Sequence, residues 1–289
     1  MRGSPGSMEV LRPRVAQEAV RVFGRAPDAI PLAGGTDFMV SWNAGLLNGK
    51  TVLDLSAIKE WGRIRTRRKG LWMGSLASHW QIQNHPIVKK HFPLLADACA
   101  TIGGIQIQLR GTLGGNLANA SPAGDTFPPL AVYEPVVHAV SPGGARTIPI
   151  SELFTGVKRT SLRRSELIES IEVPFLRTRP RRHMFWKVGT RAASAISKTV
   201  AAGLLWINRD GTIRELRFAL GSMAPTVRRL RQVEAFVTGK KPTAKVLAEA
   251  CALLEKDVAP IDDVRSTADY RLEVSKNLLR SFLDPGYRG

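Results

Sequence analysis

Residues 110–132 read RGTLGGNLANASPAGDTFPPLAV. The stretch spends Gly114-Gly115, Asn116, Asn119, a Ser-Pro step and one acid, Asp125, on residue types that add little to a core. Two physical readings fit. Either the segment is an elaborate turn, or its backbone lies against a ligand that side chains would exclude. A second glycine pair, Gly34-Gly35 in LAGGTDF (32–38), stands eighty residues upstream. Successive backbone N–H groups in such turns form concavities that hold anions, and a helix N-terminus adds a favourable dipole. Two such turns facing each other could clamp a pyrophosphate, although either one alone reads first as a tight turn. The second loop does not fit GxGxxG, and no Walker lysine follows either pair, so Rossmann and P-loop recognition are unsupported. Asp125 is the only acid between Asp97 and Glu134. A carboxylate suits a phosphate poorly but accepts well from sugar hydroxyls; it also serves as an N-cap, here for TFPPLAV. Asp37 has the same double reading, with the cap preferred.

The chain of 289 residues, 44% hydrophobic, is long enough for two domains. No apolar run reaches the ~18 residues of a membrane span, and MRGSPGSMEVLRPRV at the start lacks the apolar centre of a secretory signal. Residues 1–7 read as an added leader ahead of a native start at Met8. Cys99 and Cys251 are far apart in apolar contexts, without a CxxC. That excludes a Cys-ligated iron–sulfur cluster or zinc site within this chain. They read as two buried free thiols of a cytoplasmic protein. The net charge of +18 is spread over clusters at 63–70, 157–164, 177–183 and 227–231. No aromatics interleave with them, and no helix-turn-helix, zinc-finger or RNP pattern is present. This favours a solvated basic face, or one that meets an acidic partner protein, over nucleic-acid binding. His79, His85, His91, His138 and His183 show no metal-ligand spacing and read as surface or partly buried. No GxSxG is present, and no residue argues for hydrolysis.

Periodicity predicts helices over 16–26, 36–47, 78–85, 87–103, 241–256 and 266–283, with Ser78 as a cap and Ser266 and Asp269 at capping-box spacing. Strands are predicted near 28–33 and 50–58, and SELIESIEVPF (165–175) reads as a strand, or a helix passing into one, that ends at Pro174. Hairpins are predicted with Lys69-Gly70 and with Pro142-Gly143-Gly144 at their turns, the second after an alternating run that begins at Pro128-Pro129. After a basic boundary at 177–183, three strands joined in part by an NRDG turn suggest a small antiparallel sheet with helices on one face.

PLAGGTDFM (31–39), RGTLGGNLANASPAGDTFPPLAV (110–132), FTGVKRTSLRRSELIESIEVP (154–174) and STADYRLEVSKNLL (266–279) occur in this order. Together they resemble the FAD-binding medium subunit of the molybdenum hydroxylases, the family of carbon monoxide dehydrogenase, xanthine dehydrogenase and the aldehyde and N-heteroaromatic oxidoreductases. The resemblance covers essentially the whole chain from Met8.

The resemblance implies an α+β protein. An FAD-binding domain of the vanillyl-alcohol-oxidase type would span 8–178, in two α/β subdomains split near 60. A C-terminal α+β domain, with a three-stranded antiparallel sheet and helices, would span 179–289. It implies that Leu32, Ala33, Gly34, Gly35, Thr36 and Asp37 in the first loop, and Thr112, Leu113, Gly114, Gly115 and Asn116 in the second, hold the FAD pyrophosphate. Asp125 would hold a hydroxyl of the cofactor's sugar-like chain, Ile168 and Ile102 would contact the flavin, and Lys187 would lie near its ring. No catalytic side chain and no metal ligand is implied on this chain. Molybdopterin would sit on a large partner and two [2Fe–2S] clusters on a small one, in an (αβγ)2 assembly. Electrons would pass from the clusters to FAD and then to an external acceptor. Relatives of the hydroxybenzoyl-CoA reductase type carry a cysteine-rich insertion, which this chain lacks. In xanthine dehydrogenase the loop after the lysine carries acids where NAD reacts; here it reads TRAASAISK (190–198), without an acid, which speaks against NAD as acceptor. The alternative is a stand-alone flavin-dependent oxidase or reductase on the same fold.

Overall fold

The structure is a computed structural model and describes residues 8–284 and 286; the leader read at 1–7 lies outside them. The chain opens with β1 (Glu9–Leu11), α1 (Ala16–Arg25), β2 (Ile30–Leu32), α2 (Phe38–Asn43) and β3 (Thr51–Asp54). The three strands form a parallel sheet in the order β1-β3-β2. Helix α1 buries Ala19 and Phe23 in one cluster with Leu53 and Trp61, as its apolar spacing predicts. Helix α2 buries nothing fully, and Asp37 at its start makes no side-chain capping bond.

β4 (Ile64–Arg67) and β5 (Gly70–Gly74) form the expected hairpin. Arg67 pairs with Gly70, so the turn sits on Arg68-Lys69, one position earlier than predicted. Next come α3 (His79–Asn84), α4 (Pro86–His91), α5 (Pro93–Ala100), α6 (Ile105–Arg110), α7 (Leu113–Asn119) and α8 (Phe127–Tyr133). Ser78 caps α3 in a complete capping box with Gln81. The single helix expected over 87–103 breaks at Phe92, because Pro93 starts a helix well but cannot continue one. The run from Pro128 does not alternate: both prolines fall in the first turn of α8, where their missing N–H groups cost nothing.

β6 (Val136–Ser141) and β7 (Gly144–Pro149) make the second hairpin, followed by α9 (Ile150–Leu153), the small pair β8 (Phe154–Gly156) and β9 (Arg159–Thr160), and β10 (Leu167–Pro174). Strands pair antiparallel in the order β4-β5-β10-β6-β7.

The last sheet holds β11 (Arg182–Val188), β12 (Thr199–Ile207), β13 (Ile213–Gly221) and β14 (Arg228–Arg229), in that order. It has four strands where three were expected. The fourth is two arginines paired with Ala219 and Leu220, too short to show an alternating pattern. Arg229 ties it down through two bonds to Glu234 at 2.6 and 2.8 Å. β12 is buried over eight of its nine residues, as an unbroken apolar run implies. One face of the sheet is covered by α10 (Arg231–Val237), α11 (Ala244–Asp257) and α12 (Ala268–Leu283), with Leu220, Leu254 and Leu279 in one core. Ala202, Leu204 and Ala219 join a second core with Leu130 and Val132 of the fully buried α8 and with Ile171 of β10. The cap of α12 is Thr267, which accepts from the Tyr270 amide, rather than Ser266. Cys99 and Cys251 are buried free thiols. Among the described residues no helix is long and apolar enough to cross a membrane.

Candidate functional site

A cleft of about 530 Å³ opens where the first sheet meets α6, α7 and β10. Leu32, Ala33, Gly34, Gly35, Thr36 and Asp37 line one wall, Thr112, Gly114, Gly115 and Asn116 the facing one, and Ile102 and Ile168 also contribute. Three predicted residues are off the lining. Leu113 is turned into the core, while Asp125 and Lys187 form an ion pair of 2.6 Å with each other.

The two glycine loops touch at Gly34, and close backbone approaches explain two of the four glycines. A side chain at Gly34 would overlap the Arg110 carbonyl, and one at Gly114 would overlap Ser75. Chain crossing chain, rather than a ligand, demands these two. Gly35 is needed for its backbone, with φ at +81°. At Gly115 an added Cβ would lie 2.9 Å from Thr112 Oγ1 and 3.7 Å from Ala33 Cβ, at the seam between the walls.

The amides divide unequally. In the second loop the N–H groups of Leu113, Gly114 and Asn116 donate to the carbonyls of Ala77, Ser75 and Thr112 at 2.9–3.0 Å, and that of Gly115 donates to Thr112 Oγ1 at 3.1 Å. In the first loop the N–H groups of Gly34, Gly35, Thr36 and Asp37 have no acceptor among the described residues. The expected pair of facing N–H turns is thus one open turn opposite a wall of side chains. On that wall Asn116 Oδ1 accepts from Thr126 Oγ1 at 2.5 Å, which leaves its amide NH2 without an acceptor among the described residues. Asn119 donates to Asp37 Oδ1 at 3.3 Å and accepts from Lys158 Nζ at 2.6 Å. Asp37 is therefore bound across the cleft instead of capping α2. The one further acid of the lining, Glu166, takes a bidentate Arg146 at 2.7 and 2.8 Å, and that guanidinium holds its carboxyl below the usual carboxylate range.

Asp125 does not cap α8, whose cap position is Thr126. Burial pushes its carboxyl up to about 6, against the opposing pull of the Lys187 ammonium. Lys187 Nζ also donates to the Thr101 carbonyl at 2.9 Å, next to Ile102 of the lining. His79, read from sequence as surface or partly buried, is 2% exposed in the cleft floor. Burial lowers its pKa to about 4, so it is neutral; Cys99 Sγ lies 3.7 Å from its Nδ1. Sequence reasoning passed over Asn119 although it stands three residues after Asn116 on one helix face. Ser75, His79 and Ile107 gave no local signal. Among the described residues no group of three or more His, Cys, Asp or Glu is placed to hold a metal ion.

The family described as "FAD binding domain in molybdopterin dehydrogenase" matches residues 6–176, and "CO dehydrogenase flavoprotein C-terminal domain" matches 184–285. The chain is 28% identical to the glyceraldehyde dehydrogenase medium chain of Sulfolobus acidocaldarius, covering 95% of this chain and 96% of that one. It is 27% identical to a xanthine dehydrogenase FAD-binding subunit of Escherichia coli O157:H7, covering 92% and 91%. Among solved structures, a chain of carbon monoxide dehydrogenase from Hydrogenophaga pseudoflava superposes with a TM-score of 0.90 at 26% identity, covering 97% of each.

Proposed function

This chain belongs to the FAD-binding family of the molybdopterin dehydrogenases, and from that premise we propose that it is the electron-transfer subunit of a hetero-oligomeric molybdenum hydroxylase. Its relatives are medium chains and FAD-binding subunits of dehydrogenases. In this reading a large partner carries molybdopterin and a small one carries two [2Fe–2S] clusters, in a cytoplasmic (αβγ)2 assembly. The subunit takes electrons from those clusters and passes them to an external acceptor.

The observation that carries the reading is the open run of amides from Gly34 to Asp37, four donors on the wall of a cleft without acceptors among the described residues. Such a run suits the pyrophosphate of FAD, because successive backbone N–H groups free of protein acceptors can donate to an anion. The cleft volume also falls in the ~300–1,000 Å³ range of small-molecule sites. Within it the first loop would hold the diphosphate, the free NH2 of Asn116 would donate to the same group, and Ile102 and Ile168 would bound the ring. Asp125 would accept from a ribityl hydroxyl, and Lys187 would set the charge beside the ring. FAD, when bound, supplies the redox chemistry; the side chains here bind, orient and exclude water. The change from a parallel sheet ending at Asp54 to an antiparallel one starting at Ile64 supports two subdomains of the vanillyl-alcohol-oxidase type, divided near 60, with the C-terminal domain following 178.

The test is FAD titration of the full chain and of Gly115→Val, followed by flavin fluorescence quenching. Wild type should bind one equivalent in competition with ADP. The variant should keep its circular dichroism and lose binding, since the valine would project into the seam beside Thr112 and Ala33. Wild-type affinity in the variant would overturn the loop assignment.

A further inference from the structure

Two sequence features have no part in the cleft: STADYR at the start of α12, and ASPAG (120–124) just before Asp125. They meet at Ser222, directly after β13. Arg271 of α12 is 2% exposed. Its Nη2 donates to Asp263 Oδ1 at 2.7 Å, and its Nη1 donates to the Lys198 carbonyl and, at 3.3 Å, to the Ser222 carbonyl. Ser222 holds φ at +61°, left-handed backbone that a non-glycine residue keeps only when its surroundings impose it. Its N–H donates to the Pro122 carbonyl at 3.0 Å, and its Oγ lies 2.9 Å from Ser197 Oγ.

The knot therefore ties two strands of chain together. Pro122 lies three residues before Asp125. Ser197 and Lys198 end the loop that begins just after Lys187, and the Lys198 N–H closes that loop onto the Val188 carbonyl at 2.8 Å. Asp125 and Lys187, 62 residues apart, are each within a few bonds of the same clamp.

We propose that Arg271 is a positioning residue of the flavin site: through Ser222 and Lys198 it holds the Asp125–Lys187 pair in register beside the cleft. The proposal rests on the flavin reading above. A purely stabilising role fits the side chain poorly, because its Nε is buried without a partner among the described residues. Buried ionic groups contribute little net stability, and an apolar replacement of similar shape is often neutral or better. A guanidinium kept here at that cost specifies geometry, since only its fork reaches Asp263 and two carbonyls at once.

The experiment compares wild type, Arg271→Met, Arg271→Lys and the core variant Leu279→Ala, all as full-length chain. Hydrogen exchange reads the Lys198 amide, and titration reads the FAD dissociation constant. Arg271→Met should speed exchange at Lys198 at least ten-fold and raise the FAD dissociation constant about ten-fold, with Arg271→Lys intermediate in both. Leu279→Ala should lower the melting temperature and change neither. Unchanged exchange and FAD affinity in Arg271→Met would overturn the assignment, as would an equal loss of FAD affinity in Leu279→Ala. Should wild type itself bind no FAD, the flavin reading falls, while the exchange rate at Lys198 still decides whether Arg271 holds the loop.

Discussion

Asp125 offers the sharpest electrostatic test, because its two influences oppose each other. Burial disfavours the charged carboxylate, and the Lys187 ammonium at 2.6 Å favours it. Burial prevails: the carboxyl moves from 3.8 to about 6. At about 1.4 kcal/mol per pH unit, the folded chain favours the protonated form by about 3 kcal/mol relative to the unfolded chain. The sign follows from linkage. A folded pKa above the unfolded one means that the native state binds this proton more tightly. The associated stability is fully present below about pH 4 and is lost as pH rises through about 6. Other carboxyls pull the opposite way, among them Glu166, held low by Arg146, so wild type alone does not isolate the effect. Asp125→Asn does, because the amide cannot titrate. The quantity to follow is the difference in melting temperature, wild type minus variant, in the FAD-free chain at pH 4, 5, 6 and 7. It should fall by about 5–10 °C across the series, since about 2.4 kcal/mol of the effect lies between pH 4 and 7, at about 2–4 °C per kcal/mol for a chain of this size. A flat difference would mean that Asp125 titrates like an exposed carboxylate. A difference that rises with pH would mean that the ammonium outweighs burial; either result refutes the reasoning.

Gly34→Ala should destabilise the chain by about 3 kcal/mol or more, since the obstacle is the Arg110 backbone carbonyl and the two loops must part to admit a methyl group. Gly62→Ala, where nothing lies within 4 Å of the added carbon, is the control and should leave the melting curve unmoved. The charge of +18 predicts that association with acidic partner subunits weakens steeply between 50 and 500 mM salt, measured by analytical ultracentrifugation; salt-insensitive assembly would refute that use of the basic surface.

What the sequence made legible was local. The β6–β7 hairpin turns within a Pro-Gly-Gly run, Ser78 caps α3, and the apolar run of β12 leaves both its faces covered. Each of these depends on residues within about ten positions of one another. Errors came where a second element decides the outcome. Asp37 and Ser266 each have the chemistry of a cap, yet Asp37 is drawn across the cleft by Asn119 and Lys158, and Thr267 takes the place of Ser266. β14 exists because Arg229 reaches Glu234 and the Ala131 and Glu134 oxygens of another layer. The break in 87–103 is different: Pro93 announced it, and the apolar period ran past the signal.

The glycine pairs show why a motif that marks the cleft still left its physics undetermined. Gly34, Gly35, Gly114 and Gly115 all read alike as places where a ligand comes close. In the fold, Gly34 and Gly114 are small so that the loops can cross Arg110 and Ser75, and only Gly35 needs left-handed backbone. That crossing leads to the site's chemistry. The first loop packs against Arg110–Gly111, and its four amides from Gly34 to Asp37 have no acceptor among the described residues. The second loop, wrapped into α7 and bonded to Ala77 and Ser75, uses its amides internally and serves as the wall that holds the first one open. On the proposed reading, an anion at Gly34–Asp37 would satisfy donors that have no acceptor among the described residues, so binding and loop geometry would be one property. Loosening the crossing should cost affinity even where no residue of the anion's own contact surface has changed.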